Sequence, residues 1–177
     1  SRTDHVRHQI SNPFGKSGSK PFSATAAQVG QVFGVTMDNA LQPNIYVAAS
    51  SDYGLAIAVN DALGQQKRVR KGEPGAQWMA GQFGPPALGG GPGSIWRIDG
   101  TTGAVSLFAN VESAAFGAAS LGGLAFDART QQIFAVDRGT GLVYRFSLDG
   151  VQRGIYDHGT EGRGPVGLPP IPPPGLV

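Results

Sequence analysis

Glycine and proline interrupt this chain so often that long helices are excluded before any other property is weighed. The 177 residues include 28 glycines and 13 prolines. Inside a helix, proline costs about 3 kcal/mol and glycine about 1 kcal/mol relative to alanine, so a helical bundle is ruled out. Collagen is ruled out too, because glycine keeps no three-residue period. Short strands joined by turns remain. Two tryptophans, nine phenylalanines and four tyrosines supply bulk for a core, and the length suits one domain or a piece of a larger one.

Strand texture is read where β-branched and aromatic residues run between turn formers. The candidates are 32–37, 44–49, 54–59, 94–98, 104–108, 123–126, 132–136, 142–148 and 152–156. Asp99-Gly100 and Asp149-Gly150 read as tight hairpin turns. Residues 1–28 read as an irregular arm with a short strand near Phe22, and 111–120 as a helical turn weakened by Gly117. Residues 60–93 read as a long loop, which in a compact domain is usually functional or a linker. It carries Lys67, Arg68, Arg70 and Lys71, then Trp78 and Phe83. The aromatic residues predict that it is pinned to the body.

Two segments repeat each other. Phe33-Gly34-Val35-Thr36-Met37-Asp38 then Asn44-Ile45-Tyr46-Val47-Ala48 matches Gly123-Leu124-Ala125-Phe126-Asp127 then Gln132-Ile133-Phe134-Ala135-Val136-Asp137. Ile95-Trp96-Arg97-Ile98 then matches Val143-Tyr144-Arg145-Phe146, and each leads through Asp-Gly into an outer strand. On this alignment the 60–93 stretch is an insertion between the second and third strands of the first repeat. Arg97 and Arg145 fall at equivalent positions, where cross-strand acids are the expected partners.

A repeated unit of four short antiparallel strands is the unit of a β-propeller, and one unit cannot bury both faces of its sheet alone. The quoted residues, best over 121–156 and more loosely over 31–111, resemble NHL-type and lactonase-like propeller repeats, which also occur in large bacterial surface proteins. The fold expected is all-β: about two four-stranded antiparallel blades plus flanking pieces, an incomplete or shared propeller. The expected organisation is an N-terminal arm (1–28), a first blade (29–111) with the 60–93 insertion, a second blade (121–156) and a proline- and glycine-rich tail (157–177). The resemblance also implies a metal temptation. In lactonase-like propellers, acidic and amide residues at inner-strand ends converge on a divalent ion. Asp38 and Asp127 hold matching positions here, so they are the candidate ligands for calcium or another divalent metal. Turn capping by aspartate is the competing explanation. No residue aligns with the family's catalytic acid or base.

Other chemistry is thin. Net charge is +2, which leaves no nucleic-acid footprint. The run at 67–71 reads as a solvated loop, with a phosphate or acidic partner as the functional alternative. There is no cysteine, so disulfides, thiolate catalysis and cysteine metal sites are excluded. Residues 1–10 are polar and basic and show no signal-peptide pattern. The uncharged stretch Pro74–Trp96 holds four prolines and seven glycines and cannot form a membrane helix. Gly162–Gly167 fits GxGxxG, but prolines follow where a dinucleotide site needs a helix. Gly15-Lys16-Ser17 lacks the glycine that a phosphate loop requires five positions earlier. His5 and His8 have ligand spacing in a polar arm, and His158 stands without a nucleophile assigned to it.

These readings predict a non-catalytic interaction or structural module of an extracellular, cell-surface or periplasmic protein. It would need no cofactor. Its partners would be other copies of itself, the remainder of a longer propeller, or another protein. The contact surfaces would be the insertion (Lys67, Arg68, Arg70, Lys71, Trp78, Phe83) and the tail (Pro169, Pro170, Pro172, Pro173), the latter as a polyproline ligand, a linker or a strand opener. The alternative is a metal-dependent propeller enzyme, lactonase- or hydrolase-like.

Overall fold

The structure, a computed structural model, describes residues 21–50, 57–70, 73–75, 81–111, 120–157 and 175–176. The protein is all-β. In chain order the strands are β1 (Val32–Met37), β2 (Ile45–Ala49), β3 (Ile57–Asn60), β4 (Gln66–Val69), β5 (Ser94–Ile98), β6 (Val105–Asn110), β7 (Leu121–Asp127), β8 (Gln132–Asp137), β9 (Leu142–Ser147), β10 (Gln152–Asp157) and β11 (Gly175–Leu176). Strands β1-β2-β5-β6 form the first antiparallel sheet, β7-β8-β9-β10 form the second, and β3-β4 form a separate hairpin. The short β11 pairs antiparallel with β10, placing Leu176 opposite Tyr156, and so adds a fifth strand to the second sheet.

The two large sheets repeat each other in register as well as order. Tyr46 stands opposite Arg97 as Phe134 stands opposite Arg145; Val47 faces Trp96 as Ala135 faces Tyr144. On the first strands, Val35 pairs with Val47 as Leu124 pairs with Ala135, and an irregularity follows Val32 as one follows Leu121. β2 pairs directly with β5, although residues 50–93 lie between them in the chain.

Burial distinguishes the sheets. In β2, four of five residues are buried, whereas β8 alternates between buried Ile133, Ala135 and Asp137 and more exposed neighbours. A strand covered on both faces reads as a continuous apolar run, and one covered on a single face alternates. The first sheet is accordingly sandwiched. One face (Tyr46, Ala48, Ile95, Ala109) packs on Ile133, Ala135, Tyr144 and Phe146 of the second sheet. Its other face (Val47, Ala49, Trp96, Ile98) is covered by Val29, Phe83 and Phe22 from the chain itself. Phe108 locks the inter-sheet core, edge-on to Tyr46 at 4.9 Å and to Phe146 at 6.1 Å between ring centroids. Each such aromatic side chain contributes roughly 1.5–3 kcal/mol by burial.

The sheets come closest along β1 and β7. A β-carbon built at Gly34 would collide with the carbonyl oxygen of Gly122 and stand 3.3 Å from the Leu124 nitrogen. Glycine is therefore required at Gly34 by backbone approach, not by its dihedral angle.

Several details differ from expectation. Residues 67–69 are no loop: they lie on β4, with Lys67 opposite Val59 and Arg68 opposite Ala58, Arg70 following directly, while Asp61 caps the turn by accepting from the Leu63 and Gln65 amides. Phe22 is in no strand, and Ala26–Val29 forms a single helical turn capped by Thr25 and Gln28. Asp99-Gly100 makes no two-residue hairpin. The connection runs from Asp99 to Ala104, and the left-handed residue is Gly103 (φ 73°). The Asp99 carboxylate accepts from the Thr101 and Thr102 amides, which favours the wider turn. Asp149-Gly150 is tight as expected, with Gly150 at φ 82° and the Ser147 amide donating to the Val151 carbonyl. The expected helical turn at 111–120 falls mostly outside the described residues.

Candidate interaction surfaces

Asp38 and Asp127 sit at the same place in the two sheets, where the first strand turns into the second. Asp38 accepts four hydrogen bonds: from the Ala40 and Asn44 amides, from Asn44 Nδ2 at 2.7 Å and from the Tyr46 hydroxyl at 3.1 Å. Burial pushes its carboxyl up, but the Asn44, Ala40 and Tyr46 donors together outweigh burial and hold it below the ordinary value. Tyr46 shows the reciprocal effect: burial first, then the Asp38 charge and hydrogen bond, push its phenol up to about 12. Asp127 accepts from the Arg129 amide and the Thr130 hydroxyl, and the Thr130 bond is the main reason its carboxyl lies low. Each carboxylate is thus engaged by its own turn. Among the described residues, no three histidine, cysteine or acidic side chains are grouped to hold a metal ion.

The other aspartates are also built into turns. Asp137, fully buried at the end of β8, accepts from the Ser120 and Gly139 amides and the Thr140 hydroxyl. Asp149 accepts from Ser147 Oγ, which is the principal cause of its lowered carboxyl. The two arginines do not meet cross-strand acids. Arg97 donates to Asn44 Oδ1 at 2.9 Å and makes a 3.4 Å ion pair with Asp99 beyond the end of its own strand. Arg145 donates to the Arg153 carbonyl, and its buried Nε has no acceptor among the described residues.

The insertion divides into an anchor and an arm. Phe83, expected on the contact surface, is instead a core residue: it is buried, and its carbonyl accepts the Trp96 indole N–H at 2.9 Å. Gly84 lies so close that a β-carbon there would stand 2.6 Å from the Trp96 ring. Beside this anchor is a groove of about 540 Å³ lined by Ala26, Ala27, Gln31, Gln82, Pro85 and Pro86 among others. Its lining includes no acid, base or nucleophile. The arm is the β3–β4 hairpin, on which Lys67, Arg68 and Arg70 are all exposed. Lys71, Trp78, His5, His8, His158, Gly15-Lys16-Ser17, Gly162–Gly167, Pro169, Pro170, Pro172 and Pro173 lie outside the described residues.

Sequence reasoning missed the surfaces with most exposed apolar area on the large sheets. On β1, Val35 is 60% exposed and Met37 49%, although their counterparts on the second sheet, Leu124 and Phe126, pack into the inter-sheet core. On the second sheet's far face, Val136 is 39% and Tyr156 40% exposed. The registers make Ala48 and Ala109 their counterparts on the first sheet, and these are 0% and 8% exposed. The repeat alignment held the signal, since it pairs each exposed position with a buried twin. Comparison with protein-family models, with curated proteins and with solved structures finds no match to this chain. No helix among the described residues is long and apolar enough to cross a membrane.

Proposed function

We propose that this chain is a non-catalytic structural and interaction module made of two propeller-type blades, serving as a unit of a larger extracellular or cell-surface assembly. The observation that carries the reading is the relative orientation of the sheets. Strand order and register repeat, and the face that the second sheet turns toward the first corresponds to the first sheet's own outer face. Successive sheets therefore stack in one sense, closest along their first strands, as the blades of NHL-type and lactonase-like propellers do. Repeat units of this kind bury their core only against neighbours. The chemistry supports the same conclusion, because each described aspartate whose partners are known serves a turn. The exposed cations of the β3–β4 hairpin add a second contact surface, suited to an acidic protein partner. A chain free of cysteine is compatible with export, where it forgoes disulfides.

The test is the absolute mass in solution, by light scattering on a size-exclusion column, combined with elemental analysis. The expected result is a multiple of 18.3 kDa without stoichiometric metal. A monomer holding one equivalent of calcium or another divalent ion, with lactone hydrolysis that disappears on chelation, would overturn the reading in favour of a propeller enzyme.

A further inference from the structure

We infer that the chain associates with a second copy of itself head to tail, the Val136 face of one second sheet seating on the Val35–Met37 row of the next copy's β1. The inference rests on the proposed role as an assembly unit and names its surfaces. Each surface is one half of a contact the chain already makes internally. Within one chain, Gly34, Tyr46 and Ala48 of the first sheet meet Leu124 and Phe126 of the second. The registers place Gly123, Phe134 and Val136 at the same positions as the first group, and Val35 and Met37 at the same positions as the second. Gly123 and Val136 are exposed and Phe134 half-buried at one end of the two-sheet stack, and Val35 and Met37 are exposed at the other. Since the surfaces differ, the contact is heterologous, and repeating it gives a ring or an open filament.

A further observation points to an occupant. Gly34 is glycine because the β7 backbone presses on it. Gly123 is glycine at the equivalent position with nothing within 4 Å of its would-be β-carbon. Glycine inside a strand marks a bulge or a close backbone approach; β7 is irregular between Leu121 and Leu124, and a second copy's β1 would supply the approach. The cap formed by Phe22, Val29 and Phe83 covers Val47 and Ala49 of β2 and Trp96 and Ile98 of β5. It therefore confines the contact to the β1 side, where Val35 and Met37 are open.

The test mixes two variants of the full chain, Val136→Glu and Val35→Glu. Each spoils one surface and leaves the other intact. Each variant alone is expected to run at 18.3 kDa, and the equimolar mixture is expected to give dimers and nothing larger, since only one productive contact survives. Far-ultraviolet circular dichroism and Trp96 fluorescence check that both remain folded. Cysteine variants serve as the second measurement, because the chain has no cysteine of its own. Val136→Cys mixed with Val35→Cys should give an oxidised heterodimer absent from either protein alone. A wild-type chain that stays monomeric at all concentrations overturns both this inference and the assembly reading. A wild-type chain that associates, with variants that still pair alone or fail to complement in the mixture and the cysteine pair failing to cross-link, overturns only the head-to-tail contact.

Discussion

The same substitution at two equivalent glycines should have opposite effects on stability. A methyl group added at Gly34 is driven into the Gly122 carbonyl, and it also meets Leu124 N and Ala48 Cβ at 3.3 Å. The first obstacle is backbone in a neighbouring sheet, so it cannot rotate aside; the sheets must part. Overpacking of this kind costs about 1–3 kcal/mol. Against it stands the gain of about 0.4–1 kcal/mol from restricting the unfolded chain. Gly34→Ala should therefore destabilise by roughly 1–2 kcal/mol. Gly123→Ala meets nothing within 4 Å, so only the unfolded-state gain applies, and it should stabilise by about 0.5 kcal/mol. The two variants should differ by about 2 kcal/mol, which for a chain of this size separates their melting temperatures by roughly 4–8 °C. Equilibrium urea unfolding with Trp96 fluorescence measures the difference, in a Val35→Glu background so that self-pairing does not contribute. Equal shifts in the two variants would refute the claim that β7 presses on β1 and that the same position on β7 is open.

Three other outcomes are expected. Tyr46→Phe should lower stability by about 1–2 kcal/mol through loss of a hydrogen bond to a charged acceptor, while Asp38 keeps its Asn44 and Ala40 donors. The wild type should also lose stability from about pH 10 and go on losing it as pH rises through about 12, because the unfolded phenol ionises before the folded one; the Phe variant should lack the Tyr46 part of this loss in alkaline titrations. Asp137→Ala removes the acceptor used by three donors on a fully buried carboxylate, and chemical denaturation should register a loss of about 3 kcal/mol or more. Gly84→Ala forces a methyl group against the Trp96 ring, so indole fluorescence should shift and the melting temperature fall, corresponding to about 1–3 kcal/mol.

Much of the fold was legible because strands announce themselves locally. Val32–Met37, Ile95–Ile98 and Gln132–Val136 combine β-branched and aromatic residues with flanking aspartate or glycine, and those preferences act within a few residues. Features decided by distant contacts were not legible. The Gln66–Val69 strand is polar and cationic, so nothing in its periodicity separates it from a solvated loop; its pairing with Ile57–Asn60 defines it. The single helical turn at Ala26–Val29 is too short to show a period. Asp99-Gly100 looked like a tight turn, yet the Asp99 carboxylate serves amides two and three residues on, moving the left-handed position to Gly103. Most of all, which face of each sheet turns toward the other is a tertiary property. The sequence named Asp38 and Asp127 because aspartate carries recognisable chemistry; it passed over Val35, Met37 and Val136, whose meaning lies in the burial of their twins.

The direct pairing of β2 with β5 across residues 50–93 bears on how such a protein can change. In the second sheet the equivalent step is made by residues 138–141. Closing a connection roughly eleven times longer costs only about 2 kcal/mol more, since the entropy of loop closure grows with the logarithm of length. Part of that cost is met by the Phe83–Trp96 anchor, which ties the returning chain to β5 before the strand begins. The β3–β4 hairpin, held by its own pairing, can be exchanged while the β2–β5 register stays as it is. Residues 57–69 are thus a cassette: a lineage can rewrite what the hairpin touches without renegotiating how the sheets stack.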